Sequence, residues 1–139
     1  MKSKVLIGGL IAGVISFLLG WLVFGIALKG YYTSNSAHYD NLIRVAPRIW
    51  ALIIANFAWG FLLAWILDKA GANSAAKGFM CGLIIFFLVT LGVDMFTVAM
   101  MNMMRIRLAL VDVAVSALFG GFNGAIVGWW YGRGNDPAA

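Results

Sequence analysis

The chain contains no glutamate, one cysteine, one histidine and two prolines, and only 11% of its residues are charged. Each shortage closes a class of function. A lone Cys81 excludes an intramolecular disulfide and any Cys-x-x-Cys metal or redox motif. His38 has no neighbouring cysteine, glutamate or second histidine, which leaves it a solvent-facing loop residue rather than a metal ligand. There is no P-loop, no Gly-x-Ser-x-Gly elbow and no His-Glu-x-x-His. The contexts Val93-Asp94-Met95 and Val111-Asp112-Val113 lack the Tyr-Asp and Gly-x-Gly-Asp motifs that an intramembrane aspartic protease would need. A non-enzymatic protein without metal or cofactor is therefore expected. The formal charge is +5, but the basic residues stand singly at the ends of apolar runs. No basic face forms, and nucleic acid is not an expected partner.

What the chain has in excess is apolar surface. Hydrophobic residues make up 63% of it, against roughly 45–50% in soluble domains. They fall into four runs, Val5–Leu28, Ile49–Leu67, Gly78–Met101 and Leu108–Tyr131. A helix needs about 20 residues to cross roughly 30 Å of hydrocarbon, and each run suffices. The first run is too long for a signal-peptide core and lacks a convincing cleavage site. Trp50, Trp65, Trp129, Trp130 and Tyr131 lie near run ends, where aromatic belts form. The expected fold is all-α: one four-helix transmembrane domain over residues 1–139, an antiparallel up-down bundle with the lipid bilayer as its solvent.

With four spans, Lys2, Lys4, Lys69, Lys77 and Arg133 share one side, and Lys29, Arg44, Arg48, Arg105 and Arg107 share the other. The positive-inside rule finds no bias in that balance. Lys2 and Lys4 precede the first helix and point to cytoplasmic termini in a bacterial inner membrane, with dual topology as the alternative. In the first loop, Tyr31 to Ser36 reads as a turn region ending in a helix N-cap. Tyr39, Leu42, Ile43 and Ala46 then follow amphipathic spacing, which predicts a short interfacial helix ended by Pro47. The second loop, with Gly71, Asn73 and Ser74, reads as a polar helix connection.

The third loop is short, which makes the third and fourth spans neighbours. Met100, Met101, Met103 and Met104 flank it. Thioethers suit Cu(I), but these four point different ways around a helix and read as adaptable packing. Gly9-x3-Gly13-x-Ile15-x-Phe17-x-Leu19 matches Gly78-x3-Gly82-x-Ile84-x-Phe86-x-Leu88. In a chain this rich in those residue types, so short a match does not establish a repeat.

Two features inside the spans carry most of the information. The first is a glycine-zipper ladder in the fourth run, Ser116, Gly120, Gly124 and Gly128, headed by Asp112 and continued by Gly132. Four-residue spacing keeps these on one helix face and lets another backbone approach, from the third or first span or from a partner chain. The second is a set of polar residues at similar depth. At 1.5 Å per residue, Asp94 and Asn56 each lie about 10 Å inside their runs and Asp112 about 6 Å. All three ends open to the side of the first and third loops. Thr90, Asp94 and Thr97 share a face, and Arg105 and Arg107 stand at the mouth within snorkelling reach.

An aspartate at a helix centre costs about 2.5–3.5 kcal/mol on insertion scales. Asp94 and Asp112 should therefore face the bundle or each other, and two close carboxylates do not both stay ionised. One expectation follows in which the cluster fixes a tight hairpin in a structural or accessory subunit, self-associating or part of a larger membrane complex. In the alternative, the cluster lines a vestibule of a small-solute or ion transporter or channel. In size, helix count and balanced charge the chain is similar to small multidrug transporters and fluoride channels. It lacks the glutamate that the former carry in the first helix and the glycine and threonine motifs of the latter. The likeness stops at architecture, and no site residue is carried over.

Overall fold

The computed structural model describes residues 3–38, 44 and 46–133. Helix α1 (Ser3–Gly20) continues into a π-helical segment (Trp21–Ala27), followed by a short α2 (Lys29–Asn35) and three long helices, α3 (Ile49–Lys69), α4 (Ala75–Met100) and α5 (Ile106–Arg133). Four helices are long and apolar enough to cross a membrane: Ser3–Ala27, Ile49–Lys69, Ala75–Met100 and Ile106–Arg133. A helix satisfies its backbone groups internally, which is the condition for sitting in lipid. These helices outrun most of the apolar runs by taking in flanking residues such as Ser3, Asp68, Lys69, Lys77, Arg107 and Arg133.

The connection between α3 and α4 is closed by local chemistry. Gly71 takes a left-handed φ of 62°. Its N–H donates to the Asp68 carbonyl at 3.2 Å, and that of Ala72 donates to Leu67 at 2.9 Å. This pair of bonds is the Schellman ending of a helix, and the buried Ala72 supplies its apolar contact. Three residues on, the Ser74 hydroxyl accepts from the Lys77 N–H at 3.3 Å and starts α4 ahead of Gly78.

The first loop departs from the sequence expectation. Residues 31 to 35, expected as a turn, belong to α2, and Ser36 is its C-cap rather than an N-cap. Backbone bonds close it, Tyr32 N–H to the Leu28 carbonyl at 3.0 Å and Ser36 N–H to Tyr32 at 2.9 Å, and three polar side chains bond back along it instead of opening a turn. Thr33 donates to the Lys29 carbonyl at 2.8 Å, Ser34 to Gly30 at 2.8 Å and Asn35 to Tyr31 at 2.9 Å. Residues 39–43 and 45 of the expected interfacial helix lie outside the described residues. Ala46 sits in a bend, and Pro47 precedes the Arg48 N-cap of α3 instead of entering its first turn.

Two close helix pairs build the molecule, and glycine makes both close. On α3, a methyl group at Gly60 would fall 2.8 Å from the Gly9 carbonyl oxygen of α1. In return, Phe61 fills the space over Gly9 and Phe57 that over Gly13. On α4, a methyl group at Gly78 would strike the Gly124 carbonyl and lie 3.0 Å from the Gly128 Cα. One at Gly82 would strike the Gly120 carbonyl and lie 3.2 Å from the Gly124 Cα. A methyl group at Gly128 would lie 2.5 Å from the Ser74 carbonyl oxygen, and one at Gly132 would lie 2.5 Å from that of Asn73. The glycines of α5 thus face α4 within the same chain.

Helix α5 is central and α4 peripheral. Of the most apolar stretch of each, 39% is buried in α5 and only 6% in α4. The pairs are joined by a core of Val5, Ala12, Leu63, Ala64, Leu67, Val127 and Tyr131. The Tyr131 hydroxyl donates to the Ala64 carbonyl at 3.0 Å. Its ring lies over Gly8 and under the Lys4 ammonium, 4.6 Å from the ring centre. Deeper in, the Asn123 amide donates to the Ala12 carbonyl at 3.3 Å and to the Ser16 hydroxyl. Polar bonds of this kind tie helices together where lipid offers no hydrophobic drive.

Candidate functional site

At the end of the bundle next to the first and third loops, Asp94 of α4 and Asp112 of α5 meet. Their charges lie close enough to act on one another. Asp94 is 6% exposed, and its Oδ2 has no hydrogen-bond partner among the described residues. The third member is Tyr32 of α2, whose phenolic hydroxyl donates to Asp112 Oδ1.

An aromatic relay positions Tyr32. Its ring meets Phe24 of the π-helical segment edge-on at 5.7 Å; Phe24 meets Phe119 at 6.1 Å, and Phe119 meets Phe86 at 6.0 Å. The Leu28 N–H reaches back five residues to the Val23 carbonyl at 2.8 Å, closing the segment that carries Phe24. π-Helical turns of this sort recur at functional sites. Burial pushes the Tyr32 phenol well above the usual tyrosine range, and its bond to Asp112 and the charges of both aspartates push the same way. The phenol stays a hydrogen-bond donor over the ordinary pH range.

The other residues singled out in the sequence are placed differently. Asn56 bonds to the Leu52 carbonyl of its own helix at 2.8 Å and faces α1, with its Oδ1 3.9 Å from a methyl position on Gly20. Thr97 bonds to the Val93 carbonyl at 2.9 Å, and Thr90 is half-buried on the same helix. Arg105 and Arg107 are exposed, and among the described residues neither forms an ion pair with the carboxyls. The Asp112 carboxylate accepts from the Tyr32 hydroxyl instead. Ser116 is buried on α5, in line with Gly120, Gly124 and Gly128.

Two polar contacts have no counterpart in the sequence pattern. Tyr32 belongs to a stretch of turn-like composition, and nothing local announces a partner 80 positions away. Asn123 and Ser16 carry a weak signal, since a carboxamide in mid-span must find a partner and few polar groups lie at its depth. Among the described residues, no group of three or more His, Cys, Asp or Glu side chains is placed to hold a metal.

Clefts of 520, 530, 510 and 370 Å³ open elsewhere on the described residues, and neither aspartate lines any of them. Comparison with family models, with curated proteins and with solved structures finds no match to the chain. Four long apolar helices define it as an all-helical membrane protein.

Proposed function

We propose that the chain is a non-enzymatic structural or accessory membrane protein in which Asp94, Asp112 and Tyr32 form a clasp that holds α2 onto the α4–α5 pair. The observation that carries this reading is the Tyr32 bond to Asp112 over a carboxyl group that is 6% exposed. A conduit would leave such carboxyls open to water, whereas here Asp94 is buried and the half-buried Asp112 accepts a phenol hydroxyl.

In this reading the spans run up and down as an antiparallel bundle, supported by the rise of positions on α4 as those facing them on α5 fall. The glycine ladder is satisfied inside the chain. Self-association or assembly into a larger complex then uses the exposed faces, of which α4 has the most. Both termini lie in the cytoplasm of a bacterial cell, with the lipid bilayer as the surrounding partner and no metal, cofactor or nucleic acid.

A second reading is favoured by one observation, that Asp94 Oδ2 has no hydrogen-bond partner among the described residues. A buried acceptor of this kind suits a proton or cation in transit. Proton and cation flux into liposomes carrying the protein separates the two. The clasp predicts no flux above empty liposomes. Flux that Asp94→Asn together with Asp112→Asn abolishes would establish the transport reading instead.

A further inference from the structure

The polar cleft of 370 Å³ lies where the first and third loops join, and it is lined by Ser34, Ser36, His38, Asn102 and Arg105 together with main chain and methionine. The loops are held side by side by the Ala37 N–H, which donates to the Met103 carbonyl at 2.9 Å, and by the pairing of Ser36 with Met104. Among the described residues of the lining, every polar side chain can donate a hydrogen bond, one carries a fixed positive charge, and none is a carboxylate. The Ser34 hydroxyl already donates its hydrogen bond to the Gly30 carbonyl at 2.8 Å, so its role in the wall is secondary to that of Arg105.

A cleft with this lining selects an anion, and its position selects which one. It sits just beyond the α4 end at Met100 and the α5 start at Ile106, the level at which phospholipid headgroups lie. A second, apolar groove of 520 Å³ runs along α4, lined by Leu88, Val89, Gly92, Val93, Phe96 and Met101 among others. At the third loop the two linings are consecutive in the chain, the groove reaching Met101 and the cleft taking in Asn102 to Arg105. Gly92 forms an open floor, with nothing within 4 Å of a methyl position there. We infer that the pair is a phospholipid site, with the anionic phosphate held by Arg105 and His38 in the cleft and an acyl chain along the α4 groove. This rests on the membrane reading alone and not on the clasp.

The test is the thermal midpoint of the protein in a neutral detergent, titrated with phosphatidylglycerol, with phosphatidylcholine or with inorganic phosphate. Phosphatidylglycerol is expected to raise the midpoint at the lowest concentration. Arg105→Gln should weaken its apparent affinity about tenfold, the loss of one charge-assisted bond. Gly92→Leu, which fills the groove without meeting a neighbour, should weaken it by a similar factor. Arg107→Gln, an exposed cation on the same side but outside the cleft, should leave it unchanged. Equal loss in Arg105→Gln and Arg107→Gln, no loss in either, or a full effect from phosphate alone would overturn the assignment.

Discussion

The Tyr32 hydroxyl donates to the Asp112 carboxylate across 80 positions of chain, joining the short helix after the first span to the head of the last. The ring that carries it rests edge-on against Phe24 at 5.7 Å. Tyr32→Phe therefore keeps the packing and removes only the bond. A charge-assisted bond to a half-buried acceptor contributes about 1–3 kcal/mol, and thermal unfolding in detergent should show a loss of that size.

The same residue sets a pH dependence. Unfolded, a tyrosine ionises near about 10; folded, burial and the neighbouring carboxyls raise that value. The unfolded chain therefore sheds this proton first, and stability that is fully present below about pH 10 is lost as pH rises above it. Comparison of unfolding midpoints at neutral pH and above pH 10 should give a smaller alkaline loss for Tyr32→Phe than for the parent. An identical loss in both would place the titrating group elsewhere.

The closeness of α4 and α5 predicts a strong contrast between two glycines. A leucine at Gly124 would drive its first carbon into the Gly78 carbonyl. Backbone cannot rotate aside as a side chain can, so the cost should reach or pass the upper end of the about 1–3 kcal/mol typical of overpacking. A leucine at Gly92 meets nothing. In lipid-free detergent its unfolding midpoint should match the parent, while Gly124→Leu falls sharply or fails to fold.

Ser16 and Asn123 should be coupled. The Asn123 amide is fully buried and bridges to α1 through Ala12 and Ser16. Single alanine substitutions at each, and the pair together, form a cycle whose coupling energy should fall at about 0.5–2 kcal/mol. Additive losses would show that the two side chains act independently.

The spans are legible in the sequence because nothing but lipid accommodates four apolar runs of that length in so short a chain. The approach of Asp94 to Asp112 is legible as well, since a short third loop makes their helices neighbours and depth from the loop puts the two acids level. Asn56 shows the limit of that argument. Depth along a helix fixes height but not direction, and Asn56 at the same height turns towards Gly20 on α1. Tyr32 is hidden for a different reason. Thr33, Ser34 and Asn35 have turn-like composition, yet their side chains bond back to carbonyls four residues earlier on a stretch that the backbone holds as helix. A bond between residues 32 and 112 belongs to the tertiary fold, and no local pattern encodes it.

The most direct test of the clasp is a double-mutant cycle of Tyr32→Phe and Asp112→Ala, read by unfolding in detergent. The two side chains share one bond, so the double variant should lose little more than Asp112→Ala alone, with a coupling of about 1–3 kcal/mol. Losses that simply add, within about 0.5 kcal/mol, would contradict a Tyr32–Asp112 clasp.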